Sequence, residues 1–257
     1  MFFTNIDLSG SPPRPRILSA ARSFFAMAAF AHYYPTLLAN EGGYCHDPLD
    51  PGGETYRGIA RAANPHWSGW PTVDAIKAHL GLPHPVPQAD WHQLNLALAA
   101  DAPLAAAIEA FYKAAYWNPL HLDAVNSQPI ADQLADHGVN AGTGRAAKMW
   151  QYLLITEFGA HLVLDGQIGP QSVAALNAVD AAHFYQRLIA MRQAFYKYRA
   201  GSFTPAEATA LAAWHQFFAQ QLNLHTDVRM EKYLASWLGR THEAFTPTPA
   251  TVTTATA

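Results

Sequence analysis

Residues 37–59 read LLANEGGYCHDPLDPGGETYRGI: an apolar pair, a lone glutamate, then a loop crowded with Gly, Pro, Asp and Thr. Glu41 follows Leu37 and Leu38 by four and three positions, so on a helix it shares their face and sits at the edge of a core. A carboxyl partly withdrawn from water has its pKa raised and can hold a proton near neutrality, as a general acid must. Gly42 and Gly43 are expected to end the helix through a left-handed cap and, lacking side chains, to leave room for a ligand. Nine residues on, Asp50 stands between Pro48 and Pro51-Gly52-Gly53, in a turn that should keep its carboxylate exposed and ionised. A protonated and an ionised carboxyl across a cleft form the pair used in glycoside hydrolysis. Thr55 is the candidate to hold the attacking water. Asp47 and Glu54 compete with Asp50 for the second role. The structural alternative is an ordinary turn with Glu41 paired locally and Asp50 solvated.

Outward from this loop the apolar residues keep helical spacing. Phe24, Met27, Ala31, Tyr34 and Leu38 suggest one buried face; Leu104, Ile108, Phe111 and Ala115 a second; Ile130, Leu134 and His137 a third; Phe184, Leu188, Met191, Phe195 and Tyr198 a fourth. Thr204, Pro205 and Glu207 spell a capping box at the start of a helix whose buried stripe is Leu211, Trp214 and Phe218. Strand-like alternation is scarce. The expected fold is all-α, with one irregular loop or small β-hairpin within residues 42–58.

With 257 residues, half of them hydrophobic, the chain can bury a core without staples, and Cys45 is its sole cysteine. Sixteen basic residues against 19 acidic give a net charge of -3, which offers nucleic acid no electrostatic footprint. No apolar run approaches the roughly 20 residues of a membrane span, so membrane insertion is not expected. Arg14, Arg16 and Arg22 ahead of SFFAMAAFA loosely imitate a signal peptide, but the same residues also read as a helix. The 13 histidines lack metal-ligand spacing, so neither a metal nor another cofactor is expected. Tyr44, Tyr56 and Trp117 are candidate aromatic faces for sugar rings, with core packing as the alternative; the case is weaker for Trp67 and Trp70.

The run EGGYCHDPLDPGGETYRGI resembles the signature of the family 108 glycoside hydrolases: E-G-G-Y at Glu41–Tyr44, D-P-x-D-x-G-G-x-T at Asp47–Thr55, and a G-I pair at Gly58-Ile59. FYKAAYWNPL (111–120), LADHGVNAGTGRAAKMWQ (134–151), LDGQIGPQSVAALN (164–177) and KYLASWLGR (232–240) are similar to further segments of that family in the same order. The resemblance implies a lysozyme-like helical fold and N-acetylmuramidase action on peptidoglycan glycan strands, with Glu41 the acid and Asn140 beside the cleft or in a structural hydrogen bond. The Glu41–Asp50 separation also matches phage-type lysozymes, although Thr55 comes one residue sooner. The implied organisation is an N-terminal extension (1–26), a hydrolase domain (27–122), a helical peptidoglycan-binding region (123–243) and a tail (244–257). A monomer is expected, made in the cytoplasm and acting in the periplasm or on the wall. A lytic transglycosylase using Glu41 alone and a non-catalytic wall-binding accessory are the competing readings.

Overall fold

Helix α1 (Phe30–Asn40) delivers Glu41 to the site. In this computed structural model, residues 27–46, 52–241 and 244–247 are described, with the backbone of 24–25 and 250–251. The buried face of α1 is Phe30, Tyr33 and Leu37, while Met27 is 49% exposed. The expected stripe was therefore one residue out of phase: both sets have helical spacing, and only the packing partner distinguishes them. That partner is Trp117, whose ring lies 5.5 Å from that of Phe30 and stacks on Tyr33 at 6.1 Å. Strand β1 (Phe24–Phe25) pairs antiparallel with β5 (Ala250–Thr251) where a helical continuation had been expected.

After α1 comes a three-stranded antiparallel sheet in the order β2 (Tyr44–His46), β3 (Glu54–Tyr56), β4 (Ile59–Ala60), so the expected hairpin carries a third strand. Register pairs Tyr44 with Tyr56 and Cys45 with Thr55, which puts the two tyrosines on the buried face and Cys45 with Thr55 on the half-exposed one. The β3–β4 turn is Arg57-Gly58, with φ of 48° and 74°; two consecutive positive φ values are the signature of a tight turn that matches strand twist.

The other α-helices of the described chain are α2 (Trp70–His79), α3 (Trp91–Ala99), α4 (Ala102–Tyr112), α5 (Gln128–Ala141), α6 (Thr143–Glu157), α7 (Pro170–Ala178), α8 (Ala181–Ala200), α9 (Pro205–Ala210), α10 (Ala212–Gln221) and α11 (Glu231–Gly239). This is the mostly α, lysozyme-like fold expected. Thr204 and Glu207 form the capping box, but the helix they start breaks at Leu211 before α10 resumes. One hydrophobic cluster runs from Ala28 to Leu224. Helix α1 joins α5 through Gln128, whose side chain accepts from the Ala29 N–H at 2.7 Å and donates to its carbonyl at 3.1 Å. Among the described residues no single helix is long and apolar enough to cross a membrane.

Candidate active site

Helix α1 stops at Asn40. Glu41 is its extended cap (φ −89°, ψ 134°), with its N–H bonded to the Leu37 carbonyl at 3.1 Å. The glycines that follow are not left-handed caps, because Glu41 has already turned the chain. Gly43 is small for another reason: a side chain there would overlap the Asn95 amide, whose oxygen accepts from the Tyr44 N–H at 2.7 Å. Gly42 borders open space.

Glu41's side chain is half-buried and lies over the Arg57-Gly58 turn. A methyl group on Gly58 would overlap the Glu41 carboxyl and come within 2.5 Å of the Tyr112 hydroxyl. Tyr112 in turn donates to the Arg57 carbonyl at 2.7 Å, tying α4 to the turn that supports the acid. Beyond α4 the chain widens into a π-helical turn, Lys113–Trp117, which sets Tyr116 5.7 Å ring-to-ring from Tyr112; such turns are frequent at functional sites. Among the described residues the Glu41 carboxyl has neither a hydrogen bond nor an ion pair. Burial raises its pKa above the ordinary glutamate range; Arg240 opposes that shift and Asp136 adds to it. Burial and the Glu41 charge together push the Tyr112 phenol up, so it remains a neutral donor.

Among the described residues, Glu54 is already committed. Glu54 is 5% exposed and receives Lys77 Nζ at 2.6 Å, Arg61 Nε at 2.5 Å and the Tyr44 hydroxyl at 2.9 Å. Burial alone would raise its pKa, but the Lys77 and Tyr44 hydrogen bonds and the Lys77 and Arg61 charges bring it below the ordinary range. It is an ionised structural pin between β3 and α2, which removes it as a second catalytic carboxylate. Asp47 and Asp50 lie outside the described residues. Thr55 sits on the half-exposed face of β3, its hydroxyl 3.4 Å from the Gly53 carbonyl.

The aromatic candidates need correction. Tyr44 and Tyr56 are 2% exposed and Trp117 is fully buried, its indole N–H donating to Asp123 at 2.7 Å. Trp67 and Trp70 are also buried. These rings build the core beneath the site, where no sugar can stack on them. Asn140 donates to the Asp136 carbonyl at 2.8 Å and lines a separate hollow of about 150 Å³ with Tyr196 and Trp237. It supports Asp136, which is the structural hydrogen bond offered as its alternative role.

A larger cavity, about 420 Å³, opens between α1, α5 and α11, with Asn40, Asp136 and Arg240 in its wall. Gly58, Tyr112, Tyr116, Asp136 and Arg240 all lie in segments quoted for the resemblance, but sequence reasoning gave none of them a role. The four-residue interval between the two tyrosines was a signal that both occupy one helical face. Arg240 had none, since it reaches Asp136 across 104 residues.

The glycosyl hydrolase 108 model matches residues 34–142, from within α1 to the end of α5. That segment belongs to the glycosyl hydrolase 108 family. The matched segment holds Glu41, Gly58, Tyr112, Tyr116 and Asp136, and the match supports, in general terms, a glycosidase of the peptidoglycan-hydrolase kind. No curated protein matches the chain. Among solved structures, "Structure of Brucella abortus SagA" is 22% identical, covering 84% of this chain and 97% of that chain, at a TM-score of 0.41.

Within the glycosyl hydrolase 108 segment, Gly58→Ala should be damaging twice over. An alanine at a φ of 74° is disfavoured by about 1–2 kcal/mol, and its methyl displaces the Glu41 carboxyl. Misplacing a reacting group by about 1 Å can lower the rate about 100-fold. Turnover by the folded variant should fall by at least tenfold on that scale; full turnover would mean that the turn does not seat the acid.

Proposed function

We propose that the protein is an N-acetylmuramidase that cleaves the bond between N-acetylmuramic acid and N-acetylglucosamine in peptidoglycan. Glu41 protonates the glycosidic oxygen, Asp50 stabilises the developing cation or activates water, and Thr55 orients that water. Residues 123–243 hold the wall, on which the protein acts from the periplasmic side. The observation that carries this reading is Glu41 itself: a half-buried carboxyl with a raised pKa and no ion-pair partner among the described residues, seated on a glycine turn within a glycosidase segment. Burial favours the protonated form of a carboxyl so placed, and no salt bridge with a described residue must break before it gives up its proton.

A second reading has one observation in its favour. Among the described residues Glu41 is the uncommitted carboxyl of the site, Glu54 and Asp136 being held by cations, and a lytic transglycosylase requires a single acid. Digestion of purified peptidoglycan followed by mass spectrometry separates the two. Hydrolysis releases fragments with a reducing muramic acid, sensitive to Asp50→Asn. Fragments 18 mass units lighter, with 1,6-anhydro ends and indifferent to that substitution, would replace the hydrolase reading. Binding to sacculi without release of soluble sugar would leave an accessory role.

A further inference from the structure

The cavity of about 420 Å³ beside Glu41 has no part in the bond-breaking step, yet its wall is built for a charged, polar guest. The α1 face that lines it runs from Tyr33 to Asn40, the residue before Glu41. Across from it stand Asp132, Gln133 and Asp136 of α5 and Arg240 beyond α11. We propose that this cavity receives the short peptide carried by the muramic acid units of the glycan, with Arg240 taking a peptide carboxylate and Asp132 a peptide amine. The inference rests on the reading of the protein as a peptidoglycan hydrolase.

Three observations carry it. Arg240 spends one terminal nitrogen on Asp136, at 3.0 Å, and its side chain is 18% exposed; a guanidinium has five donors in a fork that fits a carboxylate, and the others have no partner among the described residues. The Tyr33 hydroxyl, on a residue 2% exposed, also lacks a partner among the described residues, although a buried hydroxyl ordinarily has one. Lastly, Tyr33 is the aromatic residue of the lining and is itself buried, so the wall offers no open ring for a sugar to stack on, whereas it holds both signs of charge. The volume lies within the roughly 300–1,000 Å³ of ligand pockets. The cavity also lies next to Glu41 along the chain, since Asn40, the residue before it, is in the cavity wall. A glycan whose scissile oxygen sits at Glu41 would thus bring its peptide-bearing sugar to the cavity mouth.

The test uses the full chain carrying Glu41→Gln, titrated calorimetrically with a disaccharide–tetrapeptide and with the same disaccharide after amidase removal of the peptide. The peptide-bearing probe should bind at least tenfold more tightly. Adding Arg240→Ala should erase that preference while leaving the affinity for the stripped disaccharide unchanged. Because Arg240 also braces Asp136, Asp132→Asn provides a second arm, expected to reduce the preference severalfold in a protein with an unaltered melting curve. Equal affinity for both probes, or a preference that survives both substitutions, overturns the proposal. The wild-type digestion stands apart from this: preferential peptide binding without release of sugars defeats the hydrolase reading alone, and hydrolysis with equal probe affinities defeats the peptide site alone.

Discussion

Glu41→Gln should lower peptidoglycan turnover by about 1,000-fold, within the 10²–10⁴ that a positioned general acid contributes, and leave the fold intact. Glutamine keeps the shape of the side chain over Gly58 but has no proton to give. The fold should tolerate it because no described residue depends on the carboxyl for a hydrogen bond or an ion pair. There is a linked effect on stability. The native state holds the Glu41 proton more tightly than the unfolded chain does, because burial raises the pKa. Stability therefore falls as pH climbs from the ordinary glutamate range to the raised value, and is level above it. Glutamine removes that penalty, so the variant should melt higher than wild type above the ordinary glutamate range. The difference should vanish below about pH 3, more than a unit under the ordinary glutamate value, where both states of the wild type are protonated. A folded variant that still clears peptidoglycan at the wild-type rate would rule out Glu41 as the acid.

Asp136→Ala should give the largest loss of stability. Asp136 divides its carboxylate between two cations: Oδ2 accepts from Arg192 at 2.5 Å and Oδ1 from Arg240 at 3.0 Å. Arg192 is completely buried, with Gln133 and the Tyr196 hydroxyl as its other partners. Removing the aspartate leaves a guanidinium in the core without an anion, which costs about 3–5 kcal/mol. For a protein of this size that lowers the melting temperature by roughly 6–20 °C. Asp136→Asn, which keeps an acceptor oxygen but not the charge, should fall between the alanine variant and wild type in chemical denaturation. A loss below about 1 kcal/mol for the alanine variant would show that Arg192 finds an alternative in water or Gln133, so that its burial is only nominal.

This cluster also marks the limit of what could be read in advance. Asp136 lies in the LADHGVNAGTGRAAKMWQ segment quoted for the resemblance. Its partners stand 56 and 104 residues away, and no local spacing connects them. Glu41 was legible because its properties are local: it closes an apolar helical stretch and precedes small residues. The sheet and the Thr204 capping box were legible for the same reason. The glycine cap was misread because Glu41 itself takes the extended conformation that ends α1. The aromatic candidates went wrong because a tyrosine or tryptophan near an active loop has the same sequence signature whether it faces the cleft or supports it from below.

Taken alone, the sequence determined the helical character, the position of the sheet and the hydrolase-like signature around Glu41. These depend on backbone preference and on intervals of three, four or two residues, which short-range sterics and hydrogen bonding set. The tertiary structure alone decided which face of α1 is buried, that Tyr44, Tyr56 and Trp117 belong to the core, that Glu54 is a pin, and that Gly58 and Tyr112 lie against the Glu41 carboxyl. Burial and electrostatic partnership are properties of chain segments brought together over long separations, and the proton on Glu41 responds to that assembled environment.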